Sequence, residues 1–139
     1  MRAANLAPIG PRTITRFRRV TLPRTIRDAA GCHPGVTVEV GVIDRRRRLI
    51  GVRAMRLESA NRQRGVLRHA RQVTEVGQVS IPQAVLAKVD VEALANVYFI
   101  QPTRPTGMVW IVPAEGLGAL MRTDLSRLDG IDTFLGEQL

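Results

Sequence analysis

Apolar and polar residues alternate in several short segments of the chain, and the whole pattern occurs twice. The first segment alternates up to Leu22, reaches Pro23 and then takes a helical spacing up to Gly31. A proline fits the first turn of a helix because its missing N–H would be unpaired there in any case. The same order returns at Pro82, 59 positions after Pro23. At this offset several apolar pairs align: Ile14/Val73, Val20/Val79, Leu22/Ile81, Ile26/Val85 and Val38/Val97. The sequence therefore predicts two copies of one small unit.

Each copy is predicted to hold two short strands in a tight hairpin, a short helix and a longer strand pair. In the first copy these elements are expected at residues 13–17, 19–22, 24–30, 36–43 and 49–52. In the second copy they are expected at 73–76, 78–81, 83–89, 97–100 and 108–112. After Pro113, apolar residues recur at near-helical spacing and predict an amphipathic C-terminal helix: Leu117, Leu120, Met121, Leu125 and Leu128.

These elements divide the chain into five parts. We expect a flexible N-terminal arm (1–11), a first repeat (12–53), a basic linker (54–70), a second repeat (71–113) and a C-terminal helix with a tail (114–139). The arm is expected because Pro8, Gly10 and Pro11 oppose regular structure. The fold class that follows is mainly β with short helices.

The charge is distributed unevenly along the chain. Residues 1–72 hold 17 Arg or Lys and 4 Asp or Glu, a net charge of +13, whereas residues 73–139 hold 4 and 8, a net charge of −4. The whole chain carries +9. Such an asymmetry indicates a polyanionic partner bound mainly by the first half. Only Lys88 is a lysine, and the planar guanidinium of the many arginines suits phosphates and guanine edges.

Other functional classes find little support in the sequence. Cys32 is the single cysteine and, with only His33 and His69 beside it, makes neither a disulfide nor a convincing zinc set. No catalytic set is recognised, so we expect neither an enzyme nor a cofactor. Trp110 alternates with apolar neighbours and is predicted to lie in the core. Because no stretch has the length of a membrane span or the pattern of a signal peptide, a cytoplasmic protein is expected.

The order of strand, Pro-initiated helix, glycine, Pro-Gly turn and alternating strand resembles the AbrB/MazE/SpoVT family of swapped-hairpin DNA-binding proteins. The residues that carry this resemblance are 19–23, 30–31 and 34–40 in the first copy and 77–82 and 97–99 in the second. The tandem arrangement is similar to that of the MraZ family, although neither helix begins with that family's Asp-x-x-x-Arg motif. The resemblance implies a tandem swapped-hairpin β-barrel, formed either as a pseudo-dimer within one chain or as an intertwined dimer between chains.

The resemblance also implies where DNA is contacted. By motif, the anion-facing positions of the first copy are Arg12, Arg19 and Arg27, and the matching positions of the second copy hold Arg71, Gln78 and Leu86. The predicted DNA-binding residues, including basic neighbours, are Arg12, Arg16, Arg18, Arg19, Arg24, Arg27 and Arg71. Asp28 and Arg18 depart from the family pattern, which has a more basic residue and a glycine at these positions. The first copy is therefore expected to bind DNA and the second to complete the fold.

The resulting hypothesis is a nucleoid-associated transcriptional regulator that binds DNA and forms a homo-oligomer, a dimer or larger. An alternative is an antitoxin-like interaction protein, which binds its own promoter and holds a protein partner through the C-terminal segment. Two features stay open at this stage. Residues 45–48 form a four-arginine turn that is either an ordinary charged loop or a contact to flanking phosphates. The apolar stripe of the C-terminal helix is expected to pack on the barrel or to join chains.

Overall fold

A computed structural model describes residues 8–55, 70–102 and 107–122 of the chain. The described elements, in chain order, are β1 (Ile9–Thr13), β2 (Arg19–Thr21), α1 (Arg24–Ala29), β3 (Thr37–Asp44), β4 (Leu49–Ala54), β5 (Ala70–Gln72), β6 (Gln78–Ser80), α2 (Gln83–Lys88), β7 (Asn96–Ile100), β8 (Met108–Pro113) and α3 (Ala114–Met121). The predicted mainly-β class with short helices is confirmed. Most of the basic linker, and the stripe residues Leu125 and Leu128, lie outside the described residues.

The strands form two antiparallel sheets. Six of them make a sheet in the order β1-β7-β8-β4-β3-β5, and β2 pairs with β6 in a separate two-stranded sheet. The six-stranded sheet has two ends, at β1 and β5, so the strands that the structure describes do not close into the expected barrel.

The strand pairing is reciprocal between the two copies. Arg12 on β1 lies opposite Val97 on β7, and Arg71 on β5 lies opposite Val38 on β3. Both residues of the first pair are related to those of the second by the 59-residue offset. In the two-stranded sheet, Val20 lies opposite its own repeat-equivalent, Val79. The two copies therefore pair with each other inside one chain, and each supplies a first strand to the long strand of the other.

Three local predictions are wrong. Residues 73–76 were expected to form the first strand of the second copy, but β5 ends at Gln72 and belongs to the large sheet. Residues 13–17 and 19–22 were expected to pair as a hairpin, but β1 ends at Thr13 and belongs to the large sheet, whereas β2 belongs to the small one. The arm was expected to reach residue 11, but β1 begins at Ile9 and includes Gly10 and Pro11. An edge strand tolerates these residues because one side of its backbone needs no partner, and the pairing partner β7 is distant in sequence.

The large sheet has an apolar core on each face, because successive side chains of a strand point to opposite faces. One core contains Val20 and Val79 of the small sheet, together with residues from α1, α2 and one face of the large sheet. The other contains Trp110, which is fully buried as predicted, and Leu120 of α3. Leu117 and Met121 pack against this second core. The described part of the C-terminal stripe is therefore covered by the chain's own sheet.

Left-handed backbone conformations recur at equivalent places in the two copies. Among the described residues of each repeat, four positions have positive φ angles, and in every pair one copy holds glycine and the other does not. The pairs are Arg18 (63°) with Gly77 (81°), Gly31 (76°) with Asp90 (55°), Gly35 (89°) with Leu94 (74°), and Arg48 (59°) with Gly107 (75°). The backbone has thus kept the repeat symmetry where the side chains have not.

Candidate nucleic-acid interface

The turn between β1 and β2 is held by one threonine. The Thr15 hydroxyl oxygen accepts hydrogen bonds from the backbone N–H groups of Phe17 (3.3 Å) and Arg19 (3.1 Å). The Arg18 N–H donates to the Thr15 carbonyl at 2.8 Å. Thr74 repeats this arrangement in the second copy, where its hydroxyl accepts from the N–H of Gln78 at 3.0 Å. Both turns are therefore fixed before any partner binds.

Each turn is tied to the other copy by a backbone hydrogen bond. The Ile81 N–H donates to the Arg18 carbonyl at 2.7 Å, and the Leu22 N–H donates to the Gly77 carbonyl at 3.0 Å. Because Leu22 and Ile81 stand just before the helix-initiating prolines, each turn lies beside the helix of the other copy. The turn carrying Arg18 lies beside α2, and the turn carrying Gly77 lies beside α1.

Arg27 shows directly that the turn of one copy lies beside the helix of the other. Its guanidinium reaches from α1 over Gly77, so a side chain at position 77 would require the guanidinium to move. Its Nε lies 3.6 Å from the Asp28 carboxylate and has no hydrogen-bond partner. At the equivalent place beside α2, Leu86 stands for Arg27. An open cavity of about 260 Å³ lies there, lined among others by Leu86, Gln83, Arg16 and Arg18.

The exchange redistributes the charge of the first copy. Arg16 and Arg18 lie on its turn, beside α2, whereas Arg24 and Arg27 lie on its helix, beside the turn of the second copy. Arg12 and Arg71 occupy matching registers on the first strands of the two copies. The first copy was predicted to bind DNA and the second to complete the fold. Because arginines of the first copy lie beside both helices, the surface does not divide into a basic side and a neutral side.

Between the two turns, the small sheet presents a polar outer face. Arg19 lies opposite Ser80, and Thr21 lies opposite Gln78, whose side-chain amide is 3.5 Å from the Thr21 hydroxyl. Arg19 and Thr21 are exposed while Val20 between them is buried. The strand alternation thus places Arg19 on the same outer surface as the turns.

Most of the predicted DNA-binding arginines are free of acidic partners. Of the seven, those that form no ion pair within the described ranges are Arg12, Arg16, Arg18, Arg19 and Arg24. Arg18 is half-buried and the other four are exposed. Arg71 is half-buried, and its guanidinium donates to the Ala70 carbonyl at 2.7 Å. Guanidinium groups without carboxylate partners remain able to bind an external anion.

The four-arginine turn at residues 45–48 is partly structural. Arg47 forms an ion pair with Asp44 at 2.7 Å. Arg48 forms an ion pair with Glu115 and donates hydrogen bonds to the carbonyls of Val89 and Asp90. Arg45 and Arg46 are exposed. Arg47 and Arg48 therefore stabilise the fold. The contact to flanking phosphates that the sequence left open concerns Arg45 and Arg46.

Cys32 and His33 do not form a reactive pair. Cys32 is fully buried, and burial raises the pKa of its thiol to about 11, so the thiol is protonated at neutral pH. The exposed His33 imidazole instead lies 3.5 Å from the Asp28 carboxylate. In the part of the chain that the structure describes, no three His, Cys, Asp or Glu side chains come together as a metal site requires. No described helix is both long enough and apolar enough to cross a membrane.

Four residues contribute to this surface in ways that the sequence did not predict. Thr15 and Thr74 lie on the 59-residue offset, so their repetition was visible but their role in the turns was not. Gly77 separates the strands predicted at 73–76 and 78–81, but its contact with Arg27 arises only because each turn lies beside the helix of the other copy. Phe17 was assigned to a strand, but it lies at the exposed tip of the turn.

Comparison with known proteins does not identify the chain: no protein-family model matches it, and a search of curated proteins gives no significant match.

Proposed function

We propose that the chain is a DNA-binding transcriptional regulator of the AbrB/SpoVT type. The observation that carries the proposal is a group of five arginines that form no ion pair within the described ranges. Arg16 and Arg18 lie on the first turn, Arg19 on the small sheet, Arg24 on α1, and Arg12 on β1 at the edge of the large sheet. Guanidinium groups that converge on one surface neutralise phosphates and displace condensed counterions, which favours binding to DNA. Some of them reach base edges, where arginine pairs with guanine.

The strand exchange supports the same proposal. In the swapped-hairpin family that the sequence resembles, two copies interleave their strands, and here β1 pairs with β7 while β5 pairs with β3. A single chain then carries both halves of the binding surface. The half beside α1 uses Arg24 and Arg27, and the half beside α2 uses Arg16 and Arg18. We propose that these halves contact two adjacent segments of duplex DNA.

The antitoxin-like alternative requires a C-terminal segment that is available to a protein partner. In α3, the described stripe residues pack against the second core of the chain itself. These stripe residues are therefore less available to a protein partner, which favours the DNA-binding proposal.

Salt dependence of binding tests the proposal. If about six phosphates are neutralised, the slope of log K against log salt is about −5. Arg19→Ala and Arg24→Ala should each weaken binding and flatten that slope by about one unit, because each removes one phosphate contact. Fluorescence anisotropy with a duplex taken from upstream of the protein's own gene, and with random duplex, measures affinity and slope at several salt concentrations.

Arg122→Ala is the matched control. Arg122 is exposed, and it ends α3 on the opposite face of the large sheet from the small sheet. Its removal lowers the net charge by the same amount as the two test variants. An equal loss of affinity in all three variants would show that only the total charge matters and would contradict the proposed surface.

A further inference from the structure

Three large apolar side chains are exposed among the described residues, and two of them occupy the same position in the two copies. Phe17 is 63% exposed and Val76 is 69% exposed, and 59 residues separate them. Both lie at the tip of the threonine-held turn. A single exposed apolar residue is ordinary on a protein surface. Two at one repeat-equivalent tip, each more than 60% exposed, indicate a contact made outside the folded chain.

The surroundings of Phe17 indicate the chemistry of that contact. The Arg16 guanidinium lies 5.1 Å from the centre of the Phe17 ring, and Arg18 and Arg19 follow in the chain. An aromatic ring flanked by cations matches a ligand that has a flat apolar part next to negative charge. A nucleobase with its phosphates is such a ligand.

Hydrogen bonds fix the backbone of the turn that carries the ring. The Phe17 N–H is bonded to the Thr15 hydroxyl, and the Arg18 carbonyl is bonded to the Ile81 N–H of the other copy. Little conformational entropy is therefore lost when the tip enters a groove. A ring carried on a flexible loop would lack this advantage.

We propose that Phe17 is a base-contacting residue, which enters a groove of duplex DNA and wedges against a base step while the flanking arginines bind the adjacent phosphates. The inference rests on the proposed function and adds to it a contact that is independent of charge. Apolar wedges of this kind partly unstack a base step and kink the duplex. Val76 makes a weaker contact at the second turn, because its side chain is smaller and the neighbouring Glu75 is acidic.

A second copy of the chain is the competing occupant. If the first turns of two chains met, Arg16 and Arg18 of both chains would come together, and this repulsion opposes association. The turn at Val76 carries Glu75, however, so a contact between unlike turns is electrostatically allowed. The test below therefore includes the mass of the free protein.

The experiment uses the full chain and a set of duplexes from upstream of its own gene, each with 2-aminopurine at a different adenine. The fluorescence of 2-aminopurine rises when the base is unstacked, so wild-type binding should raise it in at least one duplex. Phe17→Ala should abolish this rise and weaken binding about tenfold, while the salt slope stays unchanged because no phosphate contact is lost. Phe17→Leu should keep part of the rise. Val76→Ala, the matched control in the second turn, should weaken binding only about twofold.

The outcomes separate the inference from the proposed function. If the wild type binds neither the upstream duplexes nor random duplex at low salt, both the proposed function and the base-contacting role of Phe17 are wrong. If the wild type binds with a steep salt slope but Phe17→Ala keeps its affinity and its fluorescence rise, only the wedge is wrong. A fall in mass by light scattering for Phe17→Ala, with DNA binding intact, would assign the ring to self-association. Because Phe17 is exposed, the thermal unfolding of the Phe17→Ala variant should match that of the wild type. A large loss of stability in this variant would instead show that the ring stabilises the fold.

Discussion

Leu94 holds a backbone conformation that its repeat-equivalent, Gly35, adopts without strain. Its φ angle is 74°, and its side chain is 65% exposed. A left-handed conformation costs a residue with a Cβ about 1–2 kcal/mol, and an exposed leucine recovers little of this by burial. Leu94→Gly should therefore raise the free energy of unfolding by about 1 kcal/mol, less the entropy that glycine adds to the unfolded chain. Urea unfolding followed by circular dichroism measures the change.

The reverse substitution is the control. A Cβ on Gly35 would meet no atom within 4 Å, so Gly35→Ala reports backbone strain alone. It should lower the free energy of unfolding by about 1 kcal/mol. If both substitutions left stability unchanged, the left-handed conformation would not be strained at these positions.

At the residue scale, the sequence predicts which positions are equivalent but not what each contributes. The 59-residue offset relates Arg18 to Gly77 and Arg27 to Leu86. It does not indicate that Arg27 lies over Gly77, because that contact joins residues of different copies. The buried positions Val20, Val79 and Trp110 were predictable, since alternation marks the buried face of a strand directly.

Among the elements, the turn between β3 and β4 is fastened to two helices by Arg48. Its guanidinium donates to the carbonyls of Val89 and Asp90 at the end of α2 and pairs with Glu115 at the start of α3. Arg48→Ala should lower the free energy of unfolding by about 1–3 kcal/mol, because it leaves carbonyls at a helix end without a donor. Thermal or urea unfolding measures the effect.

Arg46 gives the comparison within the same turn. It is exposed and forms no ion pair in the described structure. Arg46→Ala should change the free energy of unfolding by no more than about 0.5 kcal/mol. Similar losses for both variants would mean that the turn stabilises the fold through charge rather than through the bonds of Arg48.

The element boundaries illustrate where local patterns lose their predictive value. The helices α1 and α2 and the long strands lie within one or two residues of their predicted bounds, because each is defined by its own periodicity. The first strand of each copy does not. β1 contains Gly10 and Pro11, which local rules assign to irregular structure, and it exists because β7 pairs with it from more than 80 residues away.

The whole molecule depends on both copies. A chain truncated after residue 64 would keep β1, β2, β3 and β4 but would lose the partners β5, β6, β7 and β8. Val20 and Val38 would be exposed to water, and one such unit is too small to close a core. We expect the truncated chain to be unfolded as a monomer, or to fold only by pairing with a second truncated chain. Light scattering combined with thermal unfolding tells these states apart from a cooperative monomer, which would show that the copies are independent domains.

The spatial distribution of charge could not be predicted from the linear one. The sequence shows a basic first half and a mildly acidic second half. Because the copies exchange strands and place each turn beside the other copy's helix, Arg16 and Arg24 belong to different ends of the surface despite lying eight residues apart. The resemblance to a swapped-hairpin family predicts which arginines contact DNA, but it does not predict how those arginines are divided between the two helices.

The reciprocal pairing of the copies has a consequence during synthesis on the ribosome. The chain emerges from its N-terminus, so β1 leaves the ribosome about 85 residues before β7, β2 about 59 residues before β6, and β3 about 33 residues before β5. At translation rates of about 5–20 residues per second, these intervals last from about 2 s for β3 to about 17 s for β1. β-Hairpin formation takes microseconds, so β3 and β4 pair at once while β1, β2 and one edge of β3 wait. During these seconds, neighbouring nascent chains on one messenger RNA display the same unpaired strand edges. The local concentration of these chains therefore determines whether the strands pair within one chain or between two chains as an intertwined dimer.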